Sequence, residues 1–324
     1  MRVVVIGGTG HIGTFLVPRL VKAGHDVIVA SRGKRKPYVP HPAWNQVQHV
    51  EIDRDAEDHA GTFGSYIAAL RADAVVDLIC FTPESAQQLV DALKHRRSPP
   101  TSRLPLILHC GTMWVHGRPT SVPVTEDMPR HPFGDYGIKK TAIEKLLLDA
   151  TRRGDARSTV LHPGHMVGPG WNPVNPAGHF NPDVFTRIAR GDVLVLPNEG
   201  METVHHVHAD DVAQAFELAL SNPDASAGES FHVVSPAPMT LRAYAEGMYA
   251  HFGKKPRLEF LPWEEWKQTV SEDEAAATWD HIAHSPHGSI AKARQRLGYA
   301  PRYSSLEAVI ESVSDRINNQ RRKA

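Results

Sequence analysis

Met1-Arg2-Val3-Val4-Val5-Ile6-Gly7-Gly8-Thr9-Gly10-His11-Ile12-Gly13 is an unbroken apolar run, a glycine turn and then the start of an amphipathic stretch. Continuous Val and Ile suit a strand covered by helices on both faces, as in a parallel sheet. Gly7, Gly10 and Gly13 carry the spacing G-x-x-G-x-x-G, a variant of the dinucleotide fingerprint G-x-G-x-x-G. Glycines there permit a tight turn and let the backbone approach a pyrophosphate at the positive end of the following helix dipole. Ordinary turns use glycine too. The placement between a first strand and a first helix is what points to dinucleotide binding.

The same alternation continues downstream. Val27–Ala30, Val47–Ile52, Ala74–Ile79, Leu104–Leu108 and Ser158–Leu161 read as further strands. His11–Ala23, Tyr66–Arg71, Pro83–His95 and Tyr136–Arg152 read as helices between them. Such alternation predicts an α/β fold, a Rossmann-type doubly wound parallel sheet with right-handed crossovers. After Leu161 the texture changes, and 162–183 is a long irregular segment of Pro, Gly and His, a length usually functional or disordered. A strand at Thr203–Val207 leads into a helix at Asp210–Leu220. Short strands (Phe231–Val234, Arg257–Phe260) and helices (Leu241–Phe252, Pro262–Thr269, Leu306–Asn318) follow. The expected organisation is a dinucleotide-binding domain over 1–162, with 203–222 returning to it. Residues 163–202 and 223–319 would form a smaller α/β substrate lobe, and 320–324 a frayed tail.

Composition narrows the function. The 324 residues hold 36 basic and 36 acidic side chains, so no net charge marks a surface for nucleic acid or an anionic membrane. No apolar run approaches the ~20 residues of a membrane span. The chain enters its first strand without a leader-like segment, so a cytoplasmic location is expected. Its two cysteines, Cys80 and Cys110, end strand-like runs and read as buried hydrophobes in a reduced compartment.

An NAD enzyme of this kind places an acid at the end of the second strand, on the ribose hydroxyls. This chain reads Ser31-Arg32-Gly33-Lys34-Arg35-Lys36 there. An acid would repel a 2′-phosphate, whereas Arg32 can pair with it, so NADP is expected and NAD is the alternative. Further on, Tyr136 and Lys140 stand four residues apart on one helical face. A phenol with pKa near ~10 moves protons poorly at neutral pH unless a cation lowers it, and Lys140 can supply that charge. Thr112 offers a hydroxyl to hold a substrate oxygen beside the phenol. A lone Tyr-x-x-x-Lys is otherwise a common surface pair.

Together these residues resemble the extended short-chain dehydrogenase/reductase family, in its NAD(P)-dependent epimerase/dehydratase branch. Gly111-Thr112-Met113-Trp114-Val115-His116-Gly117 is similar to the family's Ser-Ser-x-x-Val-Tyr-Gly, and Asp53-Arg54 to its adenine-side Asp. Val167-Gly168-Pro169-Gly170 and His208-Ala209-Asp210-Asp211-Val212-Ala213 resemble two later blocks. The resemblance implies Thr112, Tyr136 and Lys140 as catalytic residues, and a frequent homodimer through the Tyr136 helix. The cofactor side comprises Gly7, Thr9, Gly10, His11, Ile12, Gly13, Ser31, Arg32, Asp53 and Phe81. Trp114, His116 and His165 would face the substrate. Two departures matter. His162-Pro163-Gly164-His165 stands where sugar-nucleotide epimerases carry Arg-Tyr-x-Asn, and Val204 where they place an Arg. Both remove polar groups that a nucleotide diphosphate needs.

The tract His205-His206-Val207-His208 lacks the spacing of a zinc site, so no metal is expected. Phe260, Trp263 and Trp266 read as core. The leading expectation is an NAD(P)-dependent oxidoreductase or epimerase acting at a secondary alcohol or ketone of a sugar or small hydroxy-carbonyl compound. One alternative is a sugar-nucleotide 4-epimerase with tightly held NAD. Another, from a different class, is a non-catalytic dinucleotide sensor or RNA-associated protein.

Overall fold

Seven short apolar strands carry the fold. The computed structural model describes residues 1–95 and 103–321. Strands β1 (Arg2–Ile6), β2 (Asp26–Ser31), β3 (Gln48–Glu51), β4 (Ala74–Asp77), β5 (Leu106–Cys110) and β6 (Arg157–Pro163) lie on the expected runs. Small strands follow: β7 (His165–Val167), β8 (Leu194–Pro197), β9 (Thr203–Val204) and β10 (His206–His208). Then come β11 (Ser230–Val233), β12 (Met239–Thr240) and β13 (Leu258–Leu261). The main sheet has the order β11-β6-β5-β4-β1-β2-β3, every pairing parallel. It is the expected doubly wound Rossmann-type sheet.

The first helices are α1 (His11–Lys22), α2 (Arg54–Ala60), α3 (Phe63–Ala69), α4 (Pro83–His95) and α5 (Gly134–Arg152). After them come α6 (Asp183–Arg190), α7 (Ala209–Ser221), α8 (Pro223–Ser226) and α9 (Leu241–His251). The last are α10 (Trp263–Trp266), α11 (Glu272–His284), α12 (Ala291–Leu297) and α13 (Ser305–Arg321). Successive strand residues point to opposite faces, which is why the Val/Ile runs are unbroken. Val3, Val5, Val27 and Leu108 pack with Leu16 of α1 and Phe216 of α7. Val4, Ile6, Ile28 and Ile107 pack with Ile67 of α3, Leu89 of α4 and Leu147 of α5.

A third core holds α6, β8, α9 and α13 through Phe185, Leu196, Tyr244, Trp266 and Val309. Trp266 is buried there as expected, while Phe260 is 36% exposed. The helix α7 packs its apolar face on the first core, and Arg19 of α1 pairs with its Asp210 at 2.8 Å. Strand β11 and α12 share that core too, although both fall in the span expected to form the substrate lobe. The expected strand at Thr203–Val207 is divided: β9 pairs with β12, β10 with β7, and His205 lies between them. Helix α13 runs through Arg321, two residues into the expected frayed tail, whose residues 322–324 lie outside the described residues.

Candidate active site

The glycine turn leaves β1 with Gly7 at φ +77°, and a Cβ there would sit 2.7 Å from Ile79. A Cβ on Gly13 would sit 2.0 Å from the Gly8 carbonyl oxygen, so α1 rests directly on the turn. The Gly10 cap of α1 has no side-chain hydrogen bond, and the first turn holds no acid. Its first N–H groups are therefore left without a side-chain cap, an arrangement that suits an anion. A cavity of about 420 Å³ opens over this turn. Gly7, Thr9, Gly10, Ser31, Arg32, Asp53 and Phe81 line it, all at the C-terminal ends of strands. Gly13→Ala is expected to shift loop or helix and cost about 1–3 kcal/mol of stability, read by urea denaturation.

Not every expected residue lines this cavity. Ile12 points into the sheet core at 4% exposure. The His11 ring turns away and stacks on Trp171, centroids 4.6 Å apart and planes 10° from parallel. Only the backbone of these two positions, at the open helix end, remains for a phosphate. Arg54 is not free for a ligand, because Asp77 holds it at 2.5 and 3.0 Å and Ser85 at 2.9 Å. The cations left on the lining are Arg32, Lys34 and Arg35.

Thr112 follows β5 and is 7% exposed. Its hydroxyl accepts the Trp114 N–H at 3.3 Å, and its own N–H donates to His162 Nδ1 at 3.1 Å. Tyr136 opens α5 with 42% of its surface exposed. Protein packed around the phenol end pushes its pKa above the ordinary value; Cys110 adds to this, and a hydrogen bond with Thr112 opposes it. Lys140 is 2% exposed and donates to the Cys80 and Cys110 carbonyls at 2.8 and 2.7 Å. Its ammonium lies 4.8 Å from the Phe81 ring centre and 5.8 Å from that of Tyr136. It thus joins the two sides of the site. Burial is the largest influence on the phenol's pKa, and two protons of Lys140, expected to lower it, are given to carbonyls.

A second cavity, of about 390 Å³, is lined by Thr112, Trp114, Tyr136 and His165. Met166, Trp171, Val174 and Phe180 of the irregular segment add to the wall, as do Ala277, Asp280 and His281 of α11. Among the described residues neither ring nitrogen of His165 has a hydrogen-bond partner, and burial holds its pKa well below 6.5. His116 does not line this cavity. It is 6% exposed, and its Nε2 meets His232 Nε2 at 2.8 Å behind the site. The turn after Thr112 aims Trp114 at the cavity and His116 into the interior.

Sequence reasoning missed two parts of the site. Helix α11 was not anticipated, although Ser271 and Glu274 form a capping box that announces it. The His162 network was seen only as a departure from a motif. Because Nδ1 accepts from Thr112, Nε2 carries the proton that faces Glu144 Oε1 at 3.1 Å. Arg130 holds Glu144 at 2.8 and 3.1 Å, and these partners keep its carboxyl far below the usual range despite burial.

Asp77, Cys80 and His109 come within 4.8 Å of one another, a spacing that could suit a metal. Arg54 already occupies both Asp77 oxygens, and burial pushes the Cys80 thiol up to about 12. That donor set does not fit a cation. In the histidine tract, His205 and His206 bond backbone carbonyls of Ser235 and Val174, and His208 caps α7.

The chain is 28% identical over 288 residues to the 2′-dehydrokanamycin reductase of Streptomyces kanamyceticus, covering 87% of this chain and 76% of that one. It is 25% identical over 323 residues to the chloroplast stem-loop binding protein of 41 kDa b of Arabidopsis thaliana, with coverage of 97% and 78%. Its fold matches the UDP-glucose 4-epimerase of Thermotoga maritima at a TM-score of 0.74 and 19% identity, covering 99% of this chain and all of that one. The family model of the NAD dependent epimerase/dehydratase family matches residues 3–233, most of the chain. The chain therefore belongs to the NAD dependent epimerase/dehydratase family, as an NAD(P)-dependent enzyme.

Proposed function

We propose that this enzyme reduces the ketone of a small, non-nucleotide hydroxy-carbonyl compound with NADPH, or runs the reverse oxidation. The observation that carries the reading is the placement of the buried Lys140 ammonium 4.8 Å from Phe81, which lines the cavity over the glycine turn, and 5.8 Å from Tyr136, which lines the second cavity. The open N–H groups of α1 would hold the pyrophosphate, and Arg32 a 2′-phosphate. Bound there, the cofactor supplies the hydride. Thr112 orients the carbonyl oxygen, and Tyr136 Oη gives it a proton as negative charge develops. Burial keeps the phenol protonated, so a proton is present to give, and the charge growing on the substrate oxygen must draw it out. The reductase named among the relatives agrees with this direction.

A sugar-nucleotide 4-epimerase is less well supported. Among the described residues, the Tyr136 cavity has no Lys or Arg on its lining to meet a diphosphate. Retained NAD in the purified protein, visible by absorbance, would favour the epimerase. A nucleic-acid role, suggested by the stem-loop binding relative, finds no basic excess in a chain of zero net charge.

Arg32→Ala is expected to weaken NADPH binding about 10–100-fold and to leave NADH nearly unchanged, since one charge-assisted contact is lost. Fluorescence titration with both cofactors checks this. A wild type that prefers NADH would overturn the NADP assignment.

A further inference from the structure

We infer that the compound seated against Tyr136 carries a cationic amine, received by the Asp280 carboxylate and the aromatic walls of the cavity. The inference rests on reading that cavity as the hydride-transfer site, and it names the charge of the substrate.

Among the described residues Asp280, exposed at the cavity's edge, is the one acidic residue on the lining, and no Lys or Arg stands there. Its carboxylate makes no hydrogen bond or ion pair among the described residues; only its backbone carbonyl is used, by His284 Nδ1 at 2.7 Å. Burial lowers the pKa of both lining imidazoles, His165 and His281, so each is neutral at pH 7. Two cations stand near but are turned elsewhere. Lys140 gives protons to the Cys80 and Cys110 carbonyls, and Arg118 lies over the Phe133 ring at 4.8 Å, outside the lining. Asp280 also sits near the C-terminal end of α11, where the helix dipole adds negative potential.

The walls fit the same ligand. Trp114, Trp171 and Phe180 all line the cavity. One face of Trp114 is taken by His284 at 4.0 Å, and one face of Trp171 by His11 at 4.6 Å. Indole faces attract an ammonium through the ring quadrupole, and attract it more when water is displaced. A phosphate would find the opposite: a fixed negative charge, π faces and no positive partner. A neutral polyol can give hydroxyl hydrogen bonds to the carboxylate but brings no positive charge to meet it.

The test is calorimetric titration of the NADPH-loaded protein with matched probes at pH 7. Glucamine is compared with sorbitol, aminocyclohexanol with cyclohexanediol, and UDP-glucose is titrated alone. The amine of each pair is expected to bind about tenfold or more tightly than its neutral counterpart, as one charge-assisted contact implies. Asp280→Asn should erase that preference and Asp280→Glu should keep most of it, with NADPH affinity unchanged in both. Equal affinity within the pairs, no measurable amine binding, or tighter binding of UDP-glucose overturns the inference. Failure of NADPH to bind the wild type would instead overturn the proposed function. The two failures are therefore told apart.

Discussion

Tyr136→Phe is expected to lower turnover about 10²–10⁴-fold and to leave NADPH affinity close to the wild-type value. The substitution keeps the ring, and with it the edge-on contact to Trp114 at 5.9 Å. It removes only the hydroxyl, whose pKa the neighbouring Thr112 lowers. Thr112→Ser should be nearly silent beside it, because the hydroxyl and its bond from the Trp114 N–H are retained. Thr112→Val should behave more like Tyr136→Phe. Lys140→Met is the informative third variant. It empties a buried ammonium from between Phe81 and Tyr136, so cofactor affinity and turnover should both fall. Steady-state rates, with NADPH binding followed separately by fluorescence, distinguish these patterns. Full activity in Tyr136→Phe would remove the phenol from the reaction.

Acidification is expected to destabilise the protein severely between about pH 6.5 and pH 4. His11, His116 and His206 are held down to about 3 and His205 to about 4, each chiefly by burial. Their unfolded value is near ~6.5. For such groups the folded state favours the neutral ring. The stability they provide is complete above the unfolded pKa and is lost as pH falls toward the folded one. Each loses about 1.4 kcal/mol per pH unit, so at pH 5 the four together cost on the order of 8 kcal/mol. That is comparable to the whole stability of a typical domain, about 5–15 kcal/mol. His165, His109 and His232 are shifted in the same direction and add to it. Glu144, held far below its ordinary value, contributes the same sign at still lower pH. Urea midpoints at pH 7 and pH 5 check this, and a midpoint that does not fall would show that these rings gain protons without unfolding.

The sheet was legible because its strands are covered on both faces. Val3–Ile6 and Val27–Ala30 are apolar at every position, and nothing but a buried parallel strand explains that in a mixed-charge chain. Gly7 and Gly13 were legible because their roles are local, a positive φ and a close helix-to-turn contact. Tyr136 and Lys140 were legible from a helical spacing. Other parts depend on contacts far apart in the chain. His116 and Trp114 lie in one short turn, and which of them faces the cavity is decided by His232, more than a hundred residues away. Helix α11 buries Thr278, His281 and His284 along with Ile282, so hydrophobic periodicity does not reveal it. The His162–Glu144–Arg130 chain joins β6, α5 and the loop before α5, which no local pattern encodes.

The most direct measurement is deuterium transfer from NADPH labelled at the reactive nicotinamide carbon into a panel of cyclic and amine-bearing ketones, read by mass spectrometry. The wild type should place deuterium on the new carbinol carbon of at least one ketone, at a rate reduced about 10²–10⁴-fold in Tyr136→Phe. Wild-type protein that binds NADPH yet labels no ketone, or a Tyr136→Phe variant that labels as fast as wild type, would contradict hydride transfer at the Thr112–Tyr136–Lys140 site.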